Sequence, residues 1–200
     1  MVKNILITGG AGYIGSHVSE TLIKNKKKIF IVDDLSTGYK KLINKNAKFF
    51  KLNINNRKQL RTIIVKNNID SVIHLAASLI ISRGEKYPKF YYKNNVLGTQ
   101  KLLEACSKTT VKNFIFSSTA AVYKDGLYKV TEKSQLKPKS IYGKTKLKAE
   151  NLIINFCKKN KLNYGILRYF NIVGSSSSGK IGLINNCLLY TSDAADDVRG

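Results

Sequence analysis

The sequence predicts an α/β fold, a doubly wound parallel sheet with helices on both faces. Three observations predict it. Short apolar runs alternate along the chain with longer segments of helical spacing. The apolar runs are nearly continuous rather than alternating, as in strands buried on both faces. The first run ends in a glycine cluster that opens onto a helical segment. At 200 residues and 43 % apolar content the chain can build one such domain with a real core, or one domain and the start of another.

The first strand is 3–8 (KNILIT), a branched apolar run. Helix 13–26 follows, with Ile14, Val18, Leu22 and Ile23 on one face. Strands 27–34 and 47–54 come next, then helix 56–67 and strand 70–77. A long helix, 88–108, carries one internal glycine, Gly98. Strand 111–118, helix 140–160 and strand 162–171 complete the alternation. Right-handed crossovers are the default for such units. This domain fills residues 1–172, and 173–186 reads as the start of a smaller second domain.

Composition excludes several functions. The formal charge is +23, with 35 Lys+Arg against 12 Asp+Glu. The cations are mostly lysine, spread along the whole chain among Asn and Ile, as an A- and T-rich genome would write them. There is no arginine-rich arm, so no specific nucleic-acid partner is expected, only weak adhesion to polyanions at low salt. Cys106, Cys157 and Cys187 form no C-x-x-C pair, which argues against a disulfide framework or zinc site. The first two read as buried thiols in helices. No cluster of His, Cys and acids suggests a metal, and His74 reads as a structural residue at the end of a buried strand. No apolar run approaches the roughly 20 residues that span a bilayer. The N-terminus lacks a signal-peptide pattern, so the cytoplasm is the expected compartment and no membrane partner is expected.

Three motifs carry chemistry. In "TGGAGYIG", Gly9, Gly12 and Gly15 stand at a strand-to-helix turn as G-x-x-G-x-x-G. Such a turn lets a pyrophosphate approach backbone and sit at a helix N-terminus, where N–H groups and the dipole favour anions. In "VDDLSTG", Asp33 lies about 20 residues further on, placed for a ribose 2′-hydroxyl. Asp34 beside it repels a 2′-phosphate and no arginine is adjacent in sequence, so the cofactor expected is NAD rather than NADP. In helix 140–160, Tyr142 and Lys146 stand four apart on one face. A neighbouring ammonium and a bound nicotinamide cation would lower the tyrosine pKa and make it a usable base. The preceding strand ends in "FSSTAAVY", whose hydroxyls can bond a reacting oxygen.

Together "TGGAGYIGSH", "VDDLSTG", "HLAA", "YYKNNVLGT", "FIFSSTAAVY", "YGKTK" and "LRYFN" resemble the extended short-chain dehydrogenase/reductase family, with its Rossmann-type fold, and most closely its nucleotide-sugar epimerases. The resemblance implies that Tyr142 is the base, Lys146 its helper and Thr119 the hydroxyl on the sugar's reacting oxygen. It implies that Asn94 and Asn171 line the substrate site. It adds Tyr13, Ile14, Asn53, Ile54, Leu75, Ala76, Ala77, Ser117 and Tyr169 to the NAD contacts made by Gly9, Gly12, Gly15, Asp33, Tyr142 and Lys146. The implied reaction is 4-epimerisation of a UDP-hexose. Tyr142 takes the 4-hydroxyl proton as the C4 hydride passes to NAD, and hydride returns to the other face of a 4-keto sugar. A homodimer through helices 88–108 and 140–160 is also implied.

There are departures from the pattern. Asn53 stands where the family usually has an aspartate, Arg83 and Gly84 replace a Glu-Ser, and Lys124 follows Tyr123 in place of glycine. Ala120 and Ala121 stand where a dehydratase needs an acid pair. A decarboxylase or reductase of the same superfamily stays open, as does a catalytically silent NAD-binding module. The last stretch, "CLLYTSDAADDVRG" (187–200), looks like the translation of a transposase-type sequencing-library adapter. It is expected to be non-native, with the substrate domain largely missing. No epimerase turnover is expected from the polypeptide as written.

Overall fold

The computed structural model describes residues 3–126, 129–176, 179 and 181–184. The 187–200 stretch, with Cys187, lies outside them, as do parts of 173–186. Apolar runs set the sheet: β1 (Asn4–Thr8), β2 (Lys28–Asp33), β3 (Lys48–Lys51), β4 (Ser71–His74), β5 (Asn113–Thr119) and β6 (Asn163–Tyr169). All five pairings are parallel, in the order β3-β2-β1-β4-β5-β6. The chain reverses direction of growth between β1 and β4. Such a switch point opens a crevice beyond the carboxyl ends of the strands.

Helices cover both faces because successive strand residues point to opposite sides. Ile5, Ile7, Ile29 and Ile31 pack against Val18, Leu22 and Ile23 of α1 (Tyr13–Lys24). Leu6, Val32, Val72, Phe114 and Phe116 face the other way. They meet Leu60 and Ile64 of α2 (Arg57–Lys66), Leu102 of a helix over Gly98–Cys106, and Ile153 of a long helix over Ile141–Asn160. Burying such a side chain stabilises the fold by roughly 1.5–3 kcal/mol. Cys106 and Cys157 are buried free thiols in these last two helices, as expected.

The expected helix 88–108 is present as one continuous helical run, 88–106, whose middle is π-helical. After α3 (Ile81–Lys86) come α4 (Pro88–Tyr91), a π-helical stretch (Tyr92–Leu97) and α5 (Gly98–Cys106). A Cβ on Gly98 would stand 2.7 Å from Ile54 Cδ1, so glycine lets α5 lie on Ile54. Helix α3 was not expected: it is one short piece with exposed Ile81 and a buried glycine, and it shows no apolar stripe. The expected strand 70–77 stops at His74, and Leu75–Ala77 leave the sheet to line the crevice. Helix α6 (Ile141–Asn160) starts where Ser140 Oγ accepts from Gly143 N at 3.0 Å, an N-cap. Among the described residues no helix is long and apolar enough to cross a membrane.

Candidate active site

The glycine turn joins β1 to α1 at the switch point. Gly9 has φ +73°, and a Cβ there would lie 2.6 Å from Ala76 N. Both the backbone angle and the approach of the β4 loop demand glycine. A Cβ on Gly15 would meet Gly9 O and stand 2.6 Å from Gly10 Cα. Gly12 caps α1 without a side-chain hydrogen bond, so the helix presents its N-terminus to the crevice. Tyr13 and Ile14 follow, half-buried, and the Tyr13 hydroxyl donates to Gly174 O at 2.6 Å.

Asp33 ends β2 beside this turn. Its Oδ2 accepts from Ala11 N at 3.0 Å and its Oδ1 from Leu35 N at 2.8 Å. Burial pushes its pKa up, the two backbone N–H groups pull it back, and Asp34 pushes it up again. For Asp34 burial also works upward, yet hydrogen bonds from Ser36 and Asn53 hold its carboxyl below the usual range. Asn53 Nδ2 reaches Asp34 Oδ2 at 2.6 Å. A second carboxylate at 53 would have faced Asp34, so the asparagine matches the acid beside it.

A cavity of ≈ 1130 Å³ runs from Asp34 and Asn53 past Gly12 and Tyr13 to Ser78 and Asn94. A cleft of ≈ 90 Å³ lined by Gly9, Asp33, Ile54, Leu75, Ala76 and Ala77 adjoins it, sharing Gly12, Asp34 and Asn94. Arg57 and Lys58 also line the larger cavity, cations that sequence proximity to Asp33 did not bring to this end. Arg57 pairs with Glu104 at 3.4 Å. The glycine cradle, the bare helix terminus and the acid at the end of β2 fit a dinucleotide.

Tyr142, Lys146 and Thr119 line neither space; they lie further along the sheet, where β5 ends against α6. A Cβ on Gly143 would meet Ala121 O, and so α6 begins hard against the loop after β5. Tyr142 stands beside Thr119, whose Oγ1 accepts from Ala121 N at 3.2 Å. Lys146 is 2 % exposed, donates from Nζ to Ser117 O at 2.5 Å and sits 4.4 Å from the centre of the Phe116 ring. Burial pulls its pKa down to about 7, against the opposing charge of Glu150.

Of the two charges expected to lower the Tyr142 pKa, the neighbouring ammonium does not prevail within the protein: burial raises the pKa, Thr119 opposes and Tyr91 adds to it. The Lys146 ammonium is committed to Ser117 O and the Phe116 ring, and its own charge is weakened by burial. The hydroxyl run also divides its work. Ser118 donates to Glu150 Oε1, and Glu150 is held by Arg168 at 2.7 and 3.1 Å. This buried pair was missed, since an acid and an arginine 18 residues apart carry no local signal.

Asn94 Nδ2 donates to Ser78 Oγ at 3.0 Å and lines both spaces. Tyr169 is half-buried at the end of β6, in register with Thr119. Asn171 lies exposed beyond it. His74 is the structural residue expected, with Nδ1 2.7 Å from Thr8 Oγ1 and Nε2 2.8 Å from Thr99 Oγ1. Thr99 gives its proton to Asn95 O, so His74 is the neutral Nε2–H tautomer. Among the described residues no group of His, Cys, Asp and Glu could hold a metal ion.

The model of the NAD dependent epimerase/dehydratase family matches residues 5–190, and so reaches into the stretch read above as adapter. A UDP-glucose 4-epimerase of Lactobacillus helveticus is 39 % identical over 181 residues, covering 89 % of this chain and 54 % of that protein. A crystal structure of a UDP-glucose 4-epimerase superimposes with a TM-score of 0.90 at 36 % identity, over 98 % of this chain and 61 % of the other. The UDP-glucose 4-epimerase of Brucella ovis, in complex with NAD, gives 0.87 at 36 % identity, over 90 % and 56 %. The chain thus spans little more than half the length of these relatives.

Proposed function

The chain belongs to the NAD dependent epimerase/dehydratase family, and on that premise we propose that it is the NAD-binding and proton-transfer part of a UDP-glucose 4-epimerase. One observation carries the reading. Tyr142 stands beside Thr119 at the carboxyl edge of the same sheet whose glycine turn fits a dinucleotide. The relatives named for this reaction support it.

Gly9, Gly12, Tyr13, Ile14 and Gly15 would hold the pyrophosphate at the α1 terminus. Asp33 would take the adenosine ribose, with Asn53, Ile54 and Leu75–Ala77 along the cleft and Ser117, Lys146 and Tyr169 at the nicotinamide end. Bound NAD would supply reversible acceptance of hydride from the sugar C4. The protein's part is orientation and proton transfer. Thr119 and Asn94 orient the sugar, with Asn171 at the rim. Tyr142 takes the 4-hydroxyl proton and returns it. The 4-hydroxyl must stand within hydrogen-bond reach of the phenol and of Thr119 beside it. Lys146 supplies positive charge behind Tyr142 to the extent that Glu150 keeps it protonated.

The intact protein is proposed to work in the cytoplasm as a homodimer through α4, α5 and α6. Exposed Tyr87, Phe90 and Tyr92 support that surface, and light scattering would test it. The function is tested by following UDP-galactose to UDP-glucose conversion in the intact gene product. Tyr142→Phe is expected to lower kcat about 10²–10⁴-fold. Full activity of Tyr142→Phe would refute the role of the phenol.

A further inference from the structure

The wall of the larger cavity changes character along its length. At the β2 end it holds Asp34, bonded to Asn53. At the Ser78 and Asn94 end it holds two cations, Arg83 and Lys93, and no acid among the described lining residues. Arg83 reverses the charge of the glutamate usual at this place in the family.

The setting of Arg83 suits it to an anion. Its Cζ stands 5.7 Å from the centre of the Phe90 ring, and Phe90 lines the same cavity. A guanidinium held over an aromatic face is pre-organised and keeps its edge donors free. Among the described residues no carboxylate forms an ion pair with it. Glu85, the acid nearest in sequence, is spent on α6: its Oε1 accepts from Ile141 N at 2.7 Å. Gly84 is buried, and a Cβ there would stand 3.2 Å from the Tyr91 ring. Glycine thus lets α3 seat closely on Tyr91, with Arg83 on the cavity side.

The same packing places this cation relative to the reacting atoms. The Glu85 bond lands on the residue before Tyr142. Burial raises the Tyr91 pKa and the Arg83 charge pulls it back, so guanidinium and phenol are neighbours. Tyr91 in turn acts on Tyr142, after burial and Thr119. Arg83 therefore stands toward the sugar end of the site rather than the adenosine end. On a hexose, C4 bears the hydroxyl that Tyr142 is proposed to take, C5 is its ring neighbour, and C6 hangs from C5. A C6 carboxylate matches the guanidinium fork with two parallel N–H···O bonds, and a neutral hydroxymethyl does not. Lys93 adds charge to this end, but an ammonium on a flexible stem lacks the planar fork.

We propose that Arg83 is a specificity-determining residue that takes the C6 carboxylate of a UDP-hexuronate, so that the intact protein favours UDP-hexuronates over neutral UDP-hexoses. The inference narrows, and rests on, the reading of the chain as part of a UDP-sugar 4-epimerase.

The experiment uses the intact gene product with NAD bound. Turnover is followed with UDP-galactose and UDP-galacturonate. Binding of UDP-glucose and UDP-glucuronate is measured by calorimetry in the Tyr142→Phe background, where turnover does not blur it. The parent is expected to show a kcat/KM for UDP-galacturonate about tenfold or more above that for UDP-galactose, with the same preference in Kd. Arg83→Gln should remove the preference in both readouts, and Arg83→Lys should keep only part of it. Arg83 is exposed, so these changes spare the fold, and UDP-glucose binding reports that they do. A parent without the preference, or an Arg83→Gln variant that keeps it, overturns the assignment. An equal loss for both sugars would put the guanidinium on the diphosphate and overturns it as well. If the parent turns over neither UDP-galactose nor UDP-galacturonate, the 4-epimerase reading falls and the inference falls with it. Turnover of UDP-galactose without binding of UDP-glucuronate leaves that reading standing and removes only the inference.

Discussion

Acid should weaken this fold through one histidine. His74 is 1 % exposed and neutral, and burial followed by the nearby Lys146 lowers its pKa from 6.5 to about 3. In the unfolded chain it titrates near 6.5. Between these values the unfolded state binds the proton and the folded state does not. Stability is therefore intact above about pH 6.5 and declines as pH falls toward 3. Each pH unit in that window costs about 1.4 kcal/mol from this group, so at pH 5 the loss is about 2 kcal/mol. The assay is urea unfolding at several pH values, comparing the parent with His74→Gln. Glutamine keeps an acceptor toward Thr8 and a donor toward Thr99 but cannot titrate. The carboxylates titrate in both proteins, so the difference in slope isolates His74. His74→Gln should be less stable at pH 7.5 by about 1 kcal/mol, for one poorer hydrogen bond, and the gap should narrow or reverse by pH 5. Parallel stability curves for the two proteins would refute the assignment.

Other perturbations read other parts of the structure. Glu150→Gln leaves Arg168 against a neutral partner in a nearly buried site, and should cost about 3–5 kcal/mol in denaturant unfolding; a loss below about 1 kcal/mol would show that the pair is solvated. Gly15→Ala places a methyl against Gly9 O and Gly10 Cα, both backbone, so NAD binding measured by calorimetry should fall at least tenfold. Asn56→Ala removes the acceptor for Gln59 N at the start of α2 and should cost about 1 kcal/mol, read as a lower urea midpoint.

The sequence made the sheet legible because its strands are buried on both faces. An unbroken run such as Lys28–Asp33 has few other homes. The glycine turn was legible because the backbone itself requires glycine: at Gly9 the angle and the Ala76 approach coincide. What stayed hidden depends on contacts between distant segments. Glu150 and Arg168 meet only because α6 packs beside β6. Asn53 and Asp34 are 19 residues apart, and their 2.6 Å bond follows from β3 lying against β2. The π-helical stretch looks like plain helix in the sequence because the periodicity of "YYKNNVLGTQKLL" is disturbed by only part of one turn, too little to see without the Ser78 contacts.

The setting of Lys146 beside Tyr142 was hidden for the same reason. A spacing of four places lysine and tyrosine on one helix face, but it does not say where the ammonium points. Packing of α6 on β5 buries Lys146 and turns Nζ to Ser117 O and the Phe116 ring. A cation in that setting approaches neutrality near pH 7 even with Glu150, one further turn along, favouring the proton. The phenol, itself raised by burial, then has Thr119 as its stabilising partner in the protein. On the proposed reading, the readiness of Tyr142 as a base depends on charge brought from outside the helix. Glu150 sustains that readiness at second hand, so its removal should weaken the protein's stability and the protonation of Lys146 together.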